Sequence, residues 1–334
     1  MSRAGSAEPV FYGGQAVLEG VLMRGRRAYA LAVRRPGGGI ALIEKPVSSA
    51  AERWPLLKLP LVRGVAALGS SLALGYYALS RSAEIAFEGT EQQESPFEKW
   101  LNAKLGNKVN DVLMVFSMVF AVVLALSLFM LLPALVGSLV PGRLAGVAEG
   151  LSRVAIFVAY VFAISRAKDI QRVFGYHGAE HMAINCHERS QPLTAENVAR
   201  CSRLHKRCGT SFMLVVMVVA MLLFMALPVE GVWARFASRI ALLPLVAGIS
   251  YEISVKWAGR RDNFLVRAIV APGMLMQRMT TAVPDEGQIE VAITALARCL
   301  AQEEGPEGAG SPETPRSPEV PQAPQGPGSA ETPE

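Results

Sequence analysis

Val112-Leu-Met-Val-Phe-Ser-Met-Val-Phe-Ala-Val-Val-Leu-Ala-Leu-Ser-Leu-Phe-Met-Leu-Leu-Pro-Ala-Leu-Val-Gly-Ser-Leu-Val-Pro-Gly142 carries no charged side chain. It is longer than the roughly 20 residues an α-helix needs to cross a hydrocarbon core. With 51% hydrophobic and 18% charged residues in the whole chain, it points to an integral membrane protein rather than two soluble domains. Working outward, Cys208 to Val229 is a second uncharged run. Its centre, Met213 to Met225, is apolar on every face, whereas a soluble amphipathic helix would show a polar stripe. Val154 to Ser165, extended back over Leu144 to Leu151, makes another span if Glu149 and Arg153 snorkel to the interface. Ile240 to Val255 makes a fourth if Glu252 sits near one end.

Charge then sets an expected topology. The segment 166–207 has eight Lys/Arg against four Asp/Glu, while 134–150 and 229–239 are poor in basic residues. The positive-inside rule with four spans puts both termini and the segment 166–210 on the cytoplasmic side. Of the formal charge of +5, residues 302–334 contribute −6, so the body holds +11. On a membrane protein such a basic body faces anionic lipid. No basic groove interleaved with aromatics is visible, which sets nucleic-acid binding aside. Met1 to Tyr12 has no apolar core, so a cleavable signal peptide is not expected.

The flanking regions follow from local pattern. Residues 1–50 alternate short strand-like pieces with glycine turns, as in Gly13-Gly14 and Pro36-Gly-Gly-Gly39, and predict a small antiparallel cytoplasmic sheet. Within 51–100, Leu56 to Leu79 is apolar but broken by Pro60, Lys58 and Arg63, which suits a membrane-surface or re-entrant helix. The membrane domain is expected over 108–260, with a histidine-rich loop at 166–210. Over 261–301, Pro272 to Thr281 reads as an amphipathic surface segment. Asp285 to Leu300 reads as a cytoplasmic helix, with Ile289, Ile293, Leu296 and Leu300 at helical spacing. From Gln302 the chain is acidic and proline-rich, the composition of a disordered tail.

The chemistry concentrates in one window. All four histidines, His177, His181, His187 and His205, fall within 29 residues, headed by His177-Gly-Ala-Glu180-His181. On a helix His177 and His181 share a face one turn apart, with Glu180 beside them. Paired imidazoles at that spacing can grip one divalent ion, Zn²⁺ above all, and an adjacent carboxylate can act as general base. Without a metal, the same residues would start a helix and pack. A third ligand is required. Glu188 lies about 10 Å of helical rise from His181, so the expected third ligand is Glu252, an ionisable residue in apolar company, then His205. Cys208 and Arg207 sit close enough in sequence to return to the site as supporting or substrate-contacting groups. Thr194 looks like a helix N-cap. Cys186, Cys201 and Cys299 form no C-x-x-C pair with each other or with Cys208, and read as reduced packing thiols.

Four stretches resemble the YqhQ-like proteins, a bacterial family of polytopic membrane proteins of unknown function catalogued as predicted metal-dependent enzymes. They are Gly13-Gly-Gln-Ala-Val-Leu-Glu-Gly-Val-Leu-Met-Arg24; Tyr176 to His181 with Ile184-Asn-Cys186; His205-Lys-Arg-Cys-Gly-Thr-Ser-Phe212; and Pro272 to Thr281 with Gln288 to Ile293. Family members often carry proline where this chain has Lys206, a difference that bears on loop shape. The resemblance draws attention to Gln15, Glu19 and Arg24, which either fold over the histidine site or hold the sheet together. Together these observations predict a four-span protein of the bacterial inner membrane. It is expected to be a metal-dependent hydrolase acting on a membrane-proximal substrate from a cytoplasmic-face His177/His181 site with Glu180 as base. A non-catalytic scaffold, with or without structural metal, is the alternative. A transporter using Glu252 and Arg153 is weaker, since no inverted repeat is evident.

Overall fold

Strand alternation at the N-terminus is realised as a four-stranded antiparallel meander: β1 (Gly13–Val17), β2 (Gly20–Arg24), β3 (Ala28–Arg34) and β4 (Ile40–Pro46), in that spatial order. The computed structural model describes residues 11–47, 54–89, 109–142, 144–227, 229–257 and 263–304. Residues 90–100 and the acidic tail past 304 lie outside the described residues. Gly38 and Gly39 take positive φ, 87° and 77°, at the β3–β4 turn, where a side chain would be strained.

Successive side chains on a strand point to opposite faces, and both faces of this sheet are covered. Val21, Met23, Ala30 and Ala32 point to one face, where they pack on Tyr176, Ala183, Ile289 and Leu296 of two helices, α5 (Lys168–Glu188) and α11 (Glu286–Glu304). Val17, Leu22, Leu31 and Val33 point to the other, against Leu74, Ala78 and Ile85 of α1 (Val62–Ala86). Residues 56–79 therefore fall in a short helical turn, Pro55–Lys58, and in α1. One face of α1 meets the sheet, while Val65, Leu72, Tyr76 and Leu79 are exposed.

Between these layers the chain runs through α2 (Val109–Leu126), a π turn (Ser127–Leu131), α3 (Leu132–Ser138) and α4 (Leu144–Ile164). After α5 and the short α6 (Ala195–Ala199) come α7 (Gly209–Ala226), α8 (Val232–Ala241), α9 (Leu243–Tyr251) with a π turn (Glu252–Trp257), and α10 (Phe264–Thr280). Among the described residues, three helical stretches are long and apolar enough to cross a membrane: Phe116–Ser138, Leu144–Ile164 and Gly209–Ala226. A fourth is possible if Val232–Ala241 and Leu243–Val255 count as one span bent by 45°. Pro244, with no N–H to continue the ladder, sits at the start of the second half. This candidate begins earlier than residue 240, where the sequence suggests.

Other expectations need correction. Glu149 and Arg153 do not snorkel outward: Glu149 is fully buried and Arg153 is 6% exposed, because they pair with each other and with Arg239 inside the bundle. The histidine-rich segment expected as a loop begins as the 21-residue helix α5. The segment around Pro272 is amphipathic as expected, with Pro272, Leu275 and Arg278 exposed on one face. It lies in α10 and packs against the start of α7, with Gly273 close enough to Ser211 that a Cβ would clash. Helix α11 runs to Glu304, past residue 302, where the sequence suggests the tail begins.

Two polar clasps hold α5, one to the sheet and one to α11. Glu19, in the β1–β2 turn with φ 51°, pairs with Arg172 and accepts a 3.2 Å bond from the Tyr176 hydroxyl. Asp285 and Gln288 cap α11 reciprocally, at 2.7 and 3.1 Å, and Gln288 also donates to the Arg172 carbonyl. The Arg172 guanidinium holds the Glu19 carboxyl below the usual range, against an opposing effect of burial. A carboxyl whose folded value is depressed stabilises the fold above its unfolded pKa of about 4.3, and that contribution disappears as pH falls through the folded value. Glu19→Gln should therefore melt below wild type at pH 7, with the gap closing below about pH 4. Thermal melts of detergent-purified protein across this range check it; equal melting at pH 7 would show the clasp contributes nothing.

Candidate metal centre

His177 and His181 lie mid-helix on α5, so helical spacing puts both rings on one side, their centroids 4.4 Å apart. Each ring is oriented by the main chain. His177 Nδ1 lies 2.8 Å from the Thr280 carbonyl at the end of α10, and His181 Nδ1 lies 2.6 Å from the Arg203 carbonyl in the loop before α7. A carbonyl oxygen only accepts, so both imidazoles carry their proton on Nδ1 and present a lone pair on Nε2. Partners of this kind are what fix the tautomer of metal-ligating histidines. Burial also holds the His181 imidazole below the usual histidine range, keeping it neutral at pH 7.

The third donor is Cys208, the N-cap residue of α7, whose Sγ is 3.3 Å from His177 Nε2. One donor atom each from His177, His181 and Cys208 all lie within 4.8 Å of one another. Tetrahedral zinc, with bonds of about 2.0–2.3 Å, needs donor separations of roughly 3.3–3.8 Å, so small side-chain movements suffice. Two imidazoles and a thiolate suit zinc, and three protein donors leave one position for water or substrate.

Glu252 is placed elsewhere. It begins the π turn after α9 and is bound by Arg63, whose Nε donates at 2.7 Å, and by the Leu61 main-chain N–H at 3.3 Å. It ties α1 to α9. His205 comes close but stands one layer out. Its ring centroid is 5.7 Å from that of His181, while its Nε2 donates to Glu188 at 3.3 Å. Gln277 of α10 clamps its backbone, accepting from His205 N and donating to its carbonyl, both at 2.8 Å. Glu188 also binds Arg207, whose guanidinium stacks 4.5 Å from the Phe11 ring centroid.

Glu180 is 4% exposed and packs beneath β1. A Cβ on Gly14 would lie 2.9 Å from its carboxyl carbon, so only glycine lets the strand pass over this acid. Burial pushes its pKa up, opposed by the nearby His177 and His205 and by the Gly14 N–H. Gly178, between the two histidines, is equally constrained: a Cβ there would collide with the Ala282 carbonyl. Gln15 reaches α1 through the Ser71 carbonyl, and Glu19 binds Arg172 of α5. A cavity of about 680 Å³ opens beside Cys208, walled by Gly14, Ser211, Phe212, Tyr251 and Val270 among others. A second, of about 590 Å³, shares Gly14 and Gln15 with it and takes in Arg24. Cys186 and Cys201 are buried in the core beneath the sheet, where burial pushes the Cys186 thiol up to about 11. Thr194 caps α6 through Asn197 N.

Among the described residues the molecule is thus mainly helical, with three or four span-length apolar helices, a small sheet and a partly buried His₂Cys cluster. The family model described as "protein of unknown function (DUF1385)" matches residues 59–302, and the chain belongs to that family. It is 35% identical over 300 residues, 88% of this chain and 94% of the other, to the "Uncharacterized protein YqhQ" of Bacillus subtilis (strain 168). No solved structure matches it.

The structure brings Cys208, and not Glu252, beside His177 and His181, and adds Gln277, which the sequence pattern does not single out. The signal available was His205-Lys-Arg-Cys208, a compact donor set just ahead of an apolar run. The cluster predicts that Cys208→Ser and His177→Ala each weaken zinc binding by about 10²-fold or more, whereas Glu252→Gln leaves it unchanged. Competition with a chromogenic chelator measures this; a large loss in Glu252→Gln alone would reverse the assignment.

Proposed function

We propose that this chain is a multi-pass protein of the bacterial inner membrane with both termini in the cytoplasm. In this reading it is a metal-dependent hydrolase of an amide, ester or phosphoester presented at the membrane surface. The observation that carries the proposal is the pair of Nδ1–H bonds to Thr280 and Arg203, which leave the Nε2 of both rings free to bind, in a cluster where the donor atoms of His177, His181 and Cys208 lie within 4.8 Å of one another. His177, His181 and Cys208 would hold the ion, zinc by donor type. When bound, it would activate water for attack and stabilise the developing oxyanion.

The remaining work falls to the protein. Glu180 adjoins His181 on α5, and its carboxyl is the group nearest in sequence to the cluster able to take a proton from the attacking water and return it to the leaving group. It packs directly under Gly14 of β1, whose N–H opposes the rise in its pKa. The lining of the cavity beside Cys208 is largely apolar, with Lys206 and Arg207 on its wall, a match for a substrate with an apolar portion and an anionic end. The sheet and α11 cover α5 and exclude water from that side.

A structural metal in a scaffold is the second reading, favoured by the depth of Glu180. The two separate on substitution. Zinc-loaded wild type should hydrolyse 4-nitrophenyl acyl esters or bis(4-nitrophenyl) phosphate in micelles. Glu180→Gln should cut that rate by about 10²-fold or more while keeping zinc, and His181→Ala should lose both. Full metal retention with no zinc-dependent turnover in wild type would leave the scaffold reading.

A further inference from the structure

At the end of α4 remote from α5, three arginines converge on one carboxylate. Glu149 is fully buried. Arg239 of α8 grips it with both arms, Nε to Oε1 at 3.0 Å and Nη2 to Oε2 at 3.1 Å. Arg153, one turn along α4, donates Nη2 to Oε1 at 2.9 Å, and Arg235 Nη1 stands 4.0 Å from Oε2. Glu149 lies 15 residues before Ile164, about 22 Å along the helix axis, so this cluster is separate from the histidine site.

The backbone is shaped for it. Pro133 has no N–H to bond the carbonyl four residues earlier, which is that of Phe129 within the π turn. Arg153 Nε takes that carbonyl at 2.9 Å. Turns of this kind inside helices often mark functional sites. Gly137 lets α3 approach: a Cβ there would stand 3.0 Å from Glu149 Cβ and 3.3 Å from Arg235 Nη1. The Phe224 ring of α7 sits under two of the cations, with guanidinium carbons 5.0 Å (Arg153) and 4.4 Å (Arg239) from its centroid.

The cluster is incomplete in charge and in hydrogen bonds. Among the described residues, every ion pair of Arg153, Arg235 and Arg239 ends on Glu149, leaving two positive charges unmatched. Arg153 Nη1 and Arg235 Nε are buried without a hydrogen-bond partner, and Arg153 is 6% exposed. Guanidinium does not deprotonate in proteins, so the imbalance cannot be relieved by proton loss. Water could satisfy the two nitrogens but not the charge. Uncompensated buried charge is costly, and a fork of guanidinium donors matches the oxygens of phosphate. Arg235 keeps 15% of its side chain exposed, which gives the site a way in.

We propose that Arg153 and Arg235, held by Glu149 and Arg239, form a binding site for a phosphate oxyanion, either the headgroup phosphate of a phospholipid or free inorganic phosphate. The assignment does not depend on the histidine cluster or its chemistry.

The test uses full-length protein in a neutral maltoside detergent and the variant Arg235→Gln, in which Arg153 and Arg239 still neutralise Glu149. If the source is lipid, native mass spectrometry should find about one phospholipid retained per wild-type chain and lost in the variant. If the source is free phosphate, delipidated wild type should show a saturable rise in melting temperature with sodium phosphate. Sodium chloride at equal ionic strength should not give it, and the apparent affinity should be at least about tenfold weaker in the variant. Arg235→Lys, which keeps the charge but loses the fork, should fall between them. An unchanged gel-filtration profile and an unchanged melting temperature in phosphate-free buffer confirm that a variant is folded. Equal lipid retention by wild type and Arg235→Gln, together with no phosphate response or one that chloride reproduces, would overturn the proposal.

Discussion

Two imidazole N–H groups bonded to main-chain carbonyls are the constraint from which the rest of the candidate centre follows. His177 reaches Thr280 and His181 reaches Arg203, so the rings cannot turn without leaving a buried donor unpaired. The two carbonyls belong to different parts of the chain, the end of α10 and the loop that leads into α7. Those same segments bring Cys208 and Gln277 to the site. A helix pair of histidines becomes a three-donor cluster only because α10 and the 200–208 loop close over α5 at a fixed distance.

That closure depends on small residues and on polar clamps rather than on bulk. Gly178 admits the chain at Ala282, Gly14 admits β1 over Glu180, and Gly273 admits Ser211. Gln277 bonds both polar ends of the His205 peptide unit and the Ser211 hydroxyl, so one amide links α10, the loop and the start of α7. A larger side chain at any of these glycines would have to displace main chain, which packed interiors resist. The sheet acts as a lid: its two faces bury alternate residues against α5 and α11 on one side and α1 on the other.

Much of this was legible in the sequence where one local signal decides the outcome. The uncharged run from Val112 and the run from Cys208 each become span-length helices, and the glycine-punctuated strands from Gly13 become a meander. His177 and His181 need only helical period to meet. What could not be read depends on packing between distant segments. Glu252 looked like a ligand because an acid in apolar company needs a partner, but the partner is Arg63, 189 positions away. Arg153 and Glu149 looked like interface residues because a single apolar stretch gives no hint that Arg239 will come to meet them. The functional reading of a buried charge depends on its partner, and partners across the fold carry no local signature.

The proposed hydrolase chemistry requires that His177, His181 and Cys208 together hold a single metal ion. X-ray absorption at the zinc edge on purified, zinc-reconstituted protein tests it most directly. We expect about two nitrogen scatterers near 2.0–2.1 Å and one sulfur near 2.3 Å, with a light-atom ligand completing four, and loss of the sulfur shell in Cys208→Ser. A first shell of nitrogen and oxygen alone in the wild type, or a sulfur shell that survives Cys208→Ser, would contradict the assignment.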